Sequence, residues 1–303
     1  MTYNQFLNYV KEQSVYELEH PEDYQATINH VIKNNSVELD GICLHKHGES
    51  LSPTVYLNNF YEQYQDGRPL KSILNEIISI LSQDIPKLEI SDTLLDDYDA
   101  IHPSIILRIV NYEKNSHLLE NCPYLPFCDL AITFRWLVHQ DASGIASALI
   151  TNRELERWNV SIDELYQAAI KNTMRMFPSS IRLMQDVLSE YLSNNVAYPS
   201  ITSLPEPDFQ VYVLTNTSHI NGSTCVVYEH LLHDFSKQIG SDLYILPSSI
   251  HEVLLVPTKY DLQENDLLAL VQHANQTVVE ITDYLSDSIY RYDSKQNRIL
   301  MIS

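Results

Sequence analysis

Hydrophobic and polar residues form their clearest strand pattern near the end of the chain. Apolar runs at 243–246 and 253–256 are separated by a short segment that begins with Pro247. A connection of this length can form a hairpin but cannot contain a crossover helix, so the pattern predicts antiparallel strands. Runs at 211–215 and 224–228 flank Asn221-Gly222, a dipeptide typical of a tight hairpin turn. We expect two hairpins here.

Several helices are indicated by their end signals. Residues 229–239 have a helical pattern that ends at Gly240, where a left-handed glycine commonly stops a helix. The segments 151–154 and 161–164 each match a capping box, in which a Ser or Thr side chain and a Glu three residues later satisfy the first backbone groups of a helix. These segments predict two helix starts.

The same periodicities predict the remaining elements. Predicted helices lie at 2–19, 58–65, 69–83, 116–121, 181–192 and 261–286, and predicted strands at 26–33, 37–45, 54–57, 105–111, 129–139, 145–150, 289–292 and 298–302. In the strand at 129–139, the two-residue period places one set of side chains on each face of the sheet. The sets are Leu130, Ile132, Phe134, Trp136 and Val138 on one face, and Ala131, Thr133, Arg135 and Leu137 on the other.

These elements predict an α+β fold of mainly antiparallel sheets with helices packed on one face. The C-terminal core has the predicted order ββαββαββ. We expect an N-terminal α+β part at 1–100, with the order α-β-β-β-α-α, and a larger C-terminal α+β part at 101–303. The acidic, weakly patterned stretch 84–103 is the predicted junction, and one continuous domain is the alternative.

The formal net charge of −21 over 303 residues limits the possible partners. Such a chain repels phosphate backbones, so we expect no nucleic-acid partner. No run of about eighteen apolar residues is present, so we expect no membrane span. The first residues contain neither a basic start nor an apolar signal segment, which favours a cytoplasmic location.

The metal-binding residue types lack the spacing of known sites. The cysteines are Cys43, Cys122, Cys128 and Cys225, with no duplicated short spacing, and we expect all four to be reduced thiols. His45 and His47 share a strand face with Glu49 nearby, and His230 and His233 share a helix face, but neither group supplies a full ligand set. No glycine-rich phosphate motif is present. We expect no metal and no cofactor.

One segment contains the residue types of a hydrolase. Ser248, Ser249, His251 and Glu252 could supply a nucleophile, a base and an orienting carboxylate, with His139 as a further candidate. Side chains of consecutive extended residues alternate in direction, which works against such a cluster. The structural alternative is a polar connection between strands whose serines bond nearby backbone groups, and we favour it.

The chain contains twenty tyrosines and six glycines. Tyr56, Phe60, Tyr61 and Tyr64 follow near-helical spacing. They form either a core stripe, which we favour, or an exposed aromatic recognition surface.

Four segments carry a resemblance to a known family. They are LDGICLHKHGESLSPTVYLNNFYEQYQDG at 39–67, FCDLAITFRWLV at 127–138, ITNRELERWNVSIDELYQAAIKNT at 150–173 and GSDLYILPSSIHEVLLVP at 240–257. Nearly the whole chain resembles a bacterial family catalogued as domain of unknown function 5688. The second half is also weakly similar to a bacterial family related to the Bacillus protein YtpQ. The resemblance implies an intracellular bacterial protein, and it brings no reaction and no catalytic residue.

Together these observations favour a non-enzymatic regulatory or accessory factor that acts through contacts with another protein. The alternative is a small-ligand-binding protein or hydrolase with a site near Ser248–Glu252 and His139. The sequence alone leaves enzymatic activity, partner identity and oligomeric state open.

Overall fold

The computed structural model describes residues 1–18, 20–46, 53–82, 97–141, 144–194 and 209–303. The chain divides into two compact units, Met1–Ser91 and Asp92–Ser303. Most of the predicted junction at 84–103 lies outside the described residues. Each unit has its own hydrophobic core.

The first unit has the predicted order α-β-β-β-α-α. Its elements are α1 (Tyr3–Tyr16), β1 (Tyr24–Ile32), β2 (Glu38–Lys46), β3 (Thr54–Tyr56), α2 (Asn58–Gln65) and α3 (Leu70–Leu81). The strands form an antiparallel sheet in the order β1-β2-β3. Helix α1 begins with a capping box between Thr2 and Gln5, and its apolar side buries Phe6 and Val10.

The second unit confirms the predicted α+β class with antiparallel sheets. Its elements are α4 (Tyr98–Ile101), β4 (Ile105–Asn111), α5 (Ser116–Leu119), β5 (Tyr124–Phe127), β6 (Leu130–Asp141), β7 (Gly144–Leu149), α6 (Asn152–Trp158), α7 (Ile162–Met176), β8 (Ser179–Leu183), α8 (Met184–Asn194), β9 (Tyr212–Asn216), α9 (Leu231–Ile239), β10 (Leu243–Pro247), β11 (Val253–Pro257), α10 (Glu264–Thr277), β12 (Ile289–Asp293) and β13 (Arg298–Ile302). Helices α6 and α7 begin at the predicted capping boxes of Thr151 and Ser161.

Two antiparallel sheets organise this unit. One has six strands in the order β13-β12-β10-β11-β9-β8, and the other has β6 at its centre, flanked by β4 on one side and by β5 and β7 on the other. Side chains from both sheets, from α7 and from α9 share the main core. Helix α10 packs on the opposite side of the six-stranded sheet, where Leu267 and Val271 contact Tyr244 and Leu246.

Strand β6 has the predicted division into two faces. Leu130, Ile132, Phe134 and Trp136 lie in the main core, and Phe134 is fully buried. Ala131 and Leu137 instead contribute to two smaller clusters on the other face of the four-stranded sheet. The twelve-residue strand is therefore covered on both sides, which explains its nearly continuous apolar sequence.

The hairpin predicted around Asn221-Gly222 is wrong. Asn221 is left-handed, but Gly222–Val227 form a 3₁₀ helix and pair with none of the described strands. A Cβ atom at position 222 would overlap Thr215 Oγ1 and the carbonyl oxygen of His251. Glycine is therefore required for a close backbone approach, not for a positive φ in a two-residue turn.

Two predicted helices are too long. The helix expected at 181–192 starts only at Met184, because Ser179–Leu183 form β8 and pair antiparallel with β9. The helix expected at 261–286 covers only Glu264–Thr277. After it, Val278 and Ile281 are exposed, so their apolar character does not mark a buried helical stripe. Within the described residues, no helix is long and apolar enough to span a membrane.

Candidate functional site

The connection between β10 and β11 is closed by its own polar groups. The amides of Ser248 and Ser249 both donate to the carbonyl oxygen of Glu252, at 3.3 and 3.1 Å. Ser248 Oγ donates to Glu252 Oε1 at 3.3 Å, and Ser249 Oγ accepts from the amide of His251 at 3.0 Å. The paired strands are antiparallel, as predicted. Both serine hydroxyls therefore serve this turn.

His251 links this turn to two other segments. Its Nδ1 accepts a hydrogen bond from the amide of Asn221 at 3.2 Å. Since a backbone amide can only donate, Nδ1 is the acceptor in this contact. Nε2 lies 3.6 Å from Asp283 Oδ1. The carbonyl oxygen of His251 accepts from Thr215 Oγ1 at 2.8 Å, which fixes the backbone as well.

This arrangement differs from a nucleophile–base pair. A serine nucleophile must donate its proton to a free imidazole nitrogen, while the other nitrogen contacts the orienting group. Here Nδ1 is occupied by the Asn221 amide and Nε2 faces Asp283. Within the described residues, neither Ser248 nor Ser249 hydrogen-bonds the His251 ring. The ring holds segments together in this geometry.

His139 makes its polar contact with a different part of the chain. It is near the end of β6, and its Nε2 is 3.0 Å from Asp141 Oδ2. In the part of the chain that the structure describes, no hydrogen bond or ion pair joins His139 to the 248–252 connection. The structure thus brings Ser248, Ser249, His251 and Glu252 into one turn without His139.

The sequence candidates for metal binding are dispersed. His45 Nε2 bonds Thr27 Oγ1 at 3.0 Å, while His47 and Glu49 lie outside the described residues. His230 precedes α9 in the left-handed conformation. Among the described residues, no group of three or more His, Cys, Asp or Glu side chains could hold a metal ion.

All four cysteines are unpaired, as expected from the sequence. Three of them are buried, and Cys128 is exposed. Burial raises the pKa of Cys122 to about 11, although the positive charge of Arg135 acts in the opposite direction. Burial also raises the pKa of Cys225 to about 12. Both thiols stay protonated near neutral pH, so neither is an activated nucleophile.

The aromatic residues of α2 mainly serve the first core. Phe60, Tyr61 and Tyr64 all pack against it. The rings of Tyr61 and Tyr64 lie 5.4 and 6.0 Å from the ring of Phe6. Tyr56 instead lies under the ammonium group of Lys33, at 4.5 Å. Three of the four aromatic side chains therefore pack against the core, as the favoured interpretation predicted.

Sequence reasoning missed a partly buried carboxylate in the second unit that accepts hydrogen bonds from two buried residues. Asp129 accepts hydrogen bonds of 2.6 Å from both Ser286 Oγ and the Tyr290 hydroxyl. Burial raises the pKa of Tyr290, and the negative charge of Asp129 raises it further. Ser286 and Tyr290 lie 157 and 161 residues after Asp129 in the sequence, so no local pattern could have indicated these contacts.

Sequence reasoning also missed a pair of arginines on the outer face of the four-stranded sheet. Arg108 lies in β4 and Arg135 in β6, each within a predominantly apolar strand. Arg108 Nε is shielded from solvent and has no hydrogen-bond partner. The sequence could have indicated this pair, because Arg108 and Arg135 each interrupt an otherwise apolar run.

A comparison with protein-family models matches nearly the whole chain. The model described as "Family of unknown function (DUF5688)" matches residues 3–294. The chain belongs to this family. The DUF5688 match extends over both compact units, and it assigns neither a reaction nor a site. No curated protein and no solved structure matches the chain.

Proposed function

We propose that this protein is a non-enzymatic accessory or regulatory factor of the cytoplasm, which binds another protein through the edge strand β13. The observation that carries the proposal is the exposed edge of the six-stranded sheet. The Asn221 amide occupies His251 Nδ1, and neither Ser248 nor Ser249 hydrogen-bonds the His251 ring within the described residues, which supports binding over catalysis at 248–252.

Strand β13 ends the six-stranded sheet and presents an open edge. Its five residues pair with β12 on one side, and no other described strand pairs with it. Leu300 and Met301 are 37% and 45% exposed, although both are apolar. An edge strand offers unpaired backbone N–H and C=O groups to an added strand. An extended peptide can therefore bind by backbone pairing and gain specificity from these side chains.

The charge near β13 favours an acidic partner segment. Lys295 and Arg298 are exposed on the β12–β13 hairpin, and neither forms an ion pair within the described residues. The chain as a whole has a net charge of −21, which opposes pairing with a second copy. We therefore propose that an acidic, extended segment of a different protein binds to the open edge of β13.

Affinity capture from a lysate of the source organism tests this proposal. The baits are the wild type, Leu300→Lys, Arg298→Glu and the control Leu188→Lys, which alters an exposed leucine on α8. We expect one protein to bind the wild type and the control and to be lost from both β13 variants. An acidic peptide from that protein should protect the β13 amides from hydrogen exchange. Identical captured proteins on all four baits, or self-association through β13 alone, would contradict the proposal.

The hydrolase alternative has a separate test. A fluorophosphonate probe reacts with activated serines, so we expect no stoichiometric labelling of the wild type. The matched variants are Ser248→Ala, Ser249→Ala and His251→Ala. Labelling that disappears in one serine variant and decreases in His251→Ala would establish a catalytic serine and refute a purely binding role.

A further inference from the structure

The register of the four-stranded sheet places two arginines side by side. Arg108 lies opposite Thr133, and Arg135 lies opposite Ile106. Arg108 and Arg135 are therefore diagonal neighbours on one face of adjacent antiparallel strands. Such positions lie about 7–8 Å apart, within reach of two long side chains. This is the face opposite the main core, since Leu107 and Phe134 point into that core.

Within the described residues, neither guanidinium group forms an ion pair with a carboxylate. Arg135 donates from Nε to Ser147 Oγ and from a terminal nitrogen to the Ser147 carbonyl oxygen, both at 2.9 Å. Arg108 makes no side-chain hydrogen bond within the described residues, and its Nε is shielded from solvent. By contrast, Arg68, Arg182 and Arg291 each contact a carboxylate.

This pair is costly because two like charges lie at neighbouring positions without an ion pair to a carboxylate of the described residues. Burial and the nearby charge of Arg135 together lower the pKa of Arg108 to about 10, although the charge of Asp283 acts in the opposite direction. Burial also lowers the pKa of Arg135. Like charges at neighbouring sheet positions destabilise the fold, and a shielded N–H without a partner adds a desolvation cost. A bound anion would offset the repulsion between the two guanidinium groups.

The surroundings fit a small oxyanion. Ser147 Oγ accepts from Arg135, so its own proton can be donated to a ligand. Ile106 and Leu137 belong to a small apolar cluster on the same face, which limits access of water. Arg108 and Arg135 are both of intermediate exposure, so neither residue is fully closed off from solvent. Guanidinium groups bind phosphate oxygens through paired N–H donors, and two of them match a doubly charged group.

We propose that Arg108 and Arg135 form a binding site for a doubly charged oxyanion of the phosphate class, either free phosphate or the phosphate group of a small ester. Ser147 supplies an additional hydroxyl donor. The site lies on the outer face of the four-stranded sheet, and its contacts do not involve β13. It is therefore independent of the proposed binding of a partner protein.

Isothermal titration with inorganic phosphate, at constant ionic strength in chloride, tests the site. We expect the wild type to bind with a Kd of about 1 mM or tighter. Arg108→Gln and Arg135→Gln should each weaken binding about ten- to hundredfold, because each removes charged hydrogen bonds. Arg108→Lys keeps the charge but loses the paired donors, so it should also weaken binding. The control Arg182→Gln, which alters an exposed arginine on β8, should bind like the wild type.

Thermal unfolding without phosphate provides a second measurement. Arg108→Gln should be at least as stable as the wild type, because it removes an unpartnered charge. A purely structural arginine would instead lose stability when replaced. Phosphate should raise the Tm of the wild type and leave that of Arg108→Gln unchanged. No heat and no Tm change at about 10 mM phosphate, or equal affinity in Arg108→Gln, would overturn the proposal.

Two related probes define the ligand. Glycerol phosphate that binds more tightly than inorganic phosphate would identify the ligand as a phosphate ester, and equal or weaker binding would identify free phosphate. Succinate carries two carboxylates instead of a phosphate group. If succinate binds as tightly as either phosphate probe, the assignment to the phosphate class is wrong.

Discussion

At the scale of single residues, partly buried polar groups join segments that are distant in sequence. Asp129 connects the start of β6 to Ser286 and Tyr290. His251 similarly joins the β10–β11 connection to Asn221 and Asp283. Inside a protein, satisfied polar contacts of this kind specify one arrangement, since an unpaired partner would carry a full desolvation cost.

The Asp129–Tyr290 contact predicts a dependence of stability on alkaline pH. Burial and the charge of Asp129 raise the pKa of Tyr290 above its ordinary value, which is about 10. The unfolded chain therefore loses this proton first. The stabilisation that comes from the raised pKa of Tyr290 is fully present below about pH 10. It is lost as the pH rises above that value, by up to about 1.4 kcal/mol per pH unit.

Urea unfolding between pH 8 and pH 11 measures this effect. Tyr290→Phe should be less stable than the wild type by about 1–3 kcal/mol at pH 8, because Asp129 loses a donor. Its stability should decrease less steeply above pH 10. The control Tyr16→Phe, at a 74% exposed position, should follow the wild type. Equal slopes for Tyr290→Phe and the wild type would show that this contact does not set the pH dependence.

At the scale of elements, the two faces of β6 pack against different hydrophobic clusters. One face contributes Phe134 and Trp136 to the main core, while the other presents Arg135 between two smaller apolar clusters. A one-residue shift in register would exchange these faces and bury Arg135 in the main core. The alternation is therefore strongly constrained by the cost of burying a charge.

A core substitution in β6 tests this register. Phe134 has no exposed surface, so Phe134→Ala should lower the free energy of unfolding by about 3–5 kcal/mol through lost burial and a residual cavity. The measurement is the urea midpoint at neutral pH. Leu188→Ala, at an exposed position on α8, is the control and should change stability by less than about 0.5 kcal/mol. An unchanged midpoint in Phe134→Ala would refute the register.

At the scale of the whole molecule, the charge of −21 is the dominant electrostatic property. Repulsion among the acidic side chains opposes the compact state, because folding brings like charges closer together. The exposed Lys295 and Arg298 of the β12–β13 hairpin and the arginine pair on the four-stranded sheet are local positive charges. Both proposed sites use positive charge in a molecule that otherwise repels anions.

This charge predicts a stabilising effect of salt. Added NaCl screens exposed charges, and the Debye length decreases from about 30 Å at 0.01 M to about 8 Å at 0.15 M. The Tm should therefore rise over this range and level off at about 0.5 M. Thermal scans in a dilute, phosphate-free buffer measure it. A Tm that decreases with NaCl would show that attractive ion pairs outweigh the overall repulsion.

Most local structure could be predicted from the sequence. The capping boxes at Thr151 and Ser161, the end of α9 at Gly240 and the two faces of β6 follow from short-range chemistry. The candidate turn at 248–252 was also predictable as a connection between antiparallel strands. These features depend on backbone groups and side chains only a few residues apart, so their information is local.

Tertiary structure decided the remaining features. Residues 179–183 became a strand because β9 offers them a partner, and 222–227 became a 3₁₀ helix because Gly222 packs against Thr215 and His251. The juxtaposition of Arg108 and Arg135 likewise required the register between β4 and β6. The sequence by itself determined periodicity, caps and charge. Only the folded chain determined which distant groups meet, because backbone pairing and buried polar contacts depend on the partner that the fold brings into reach.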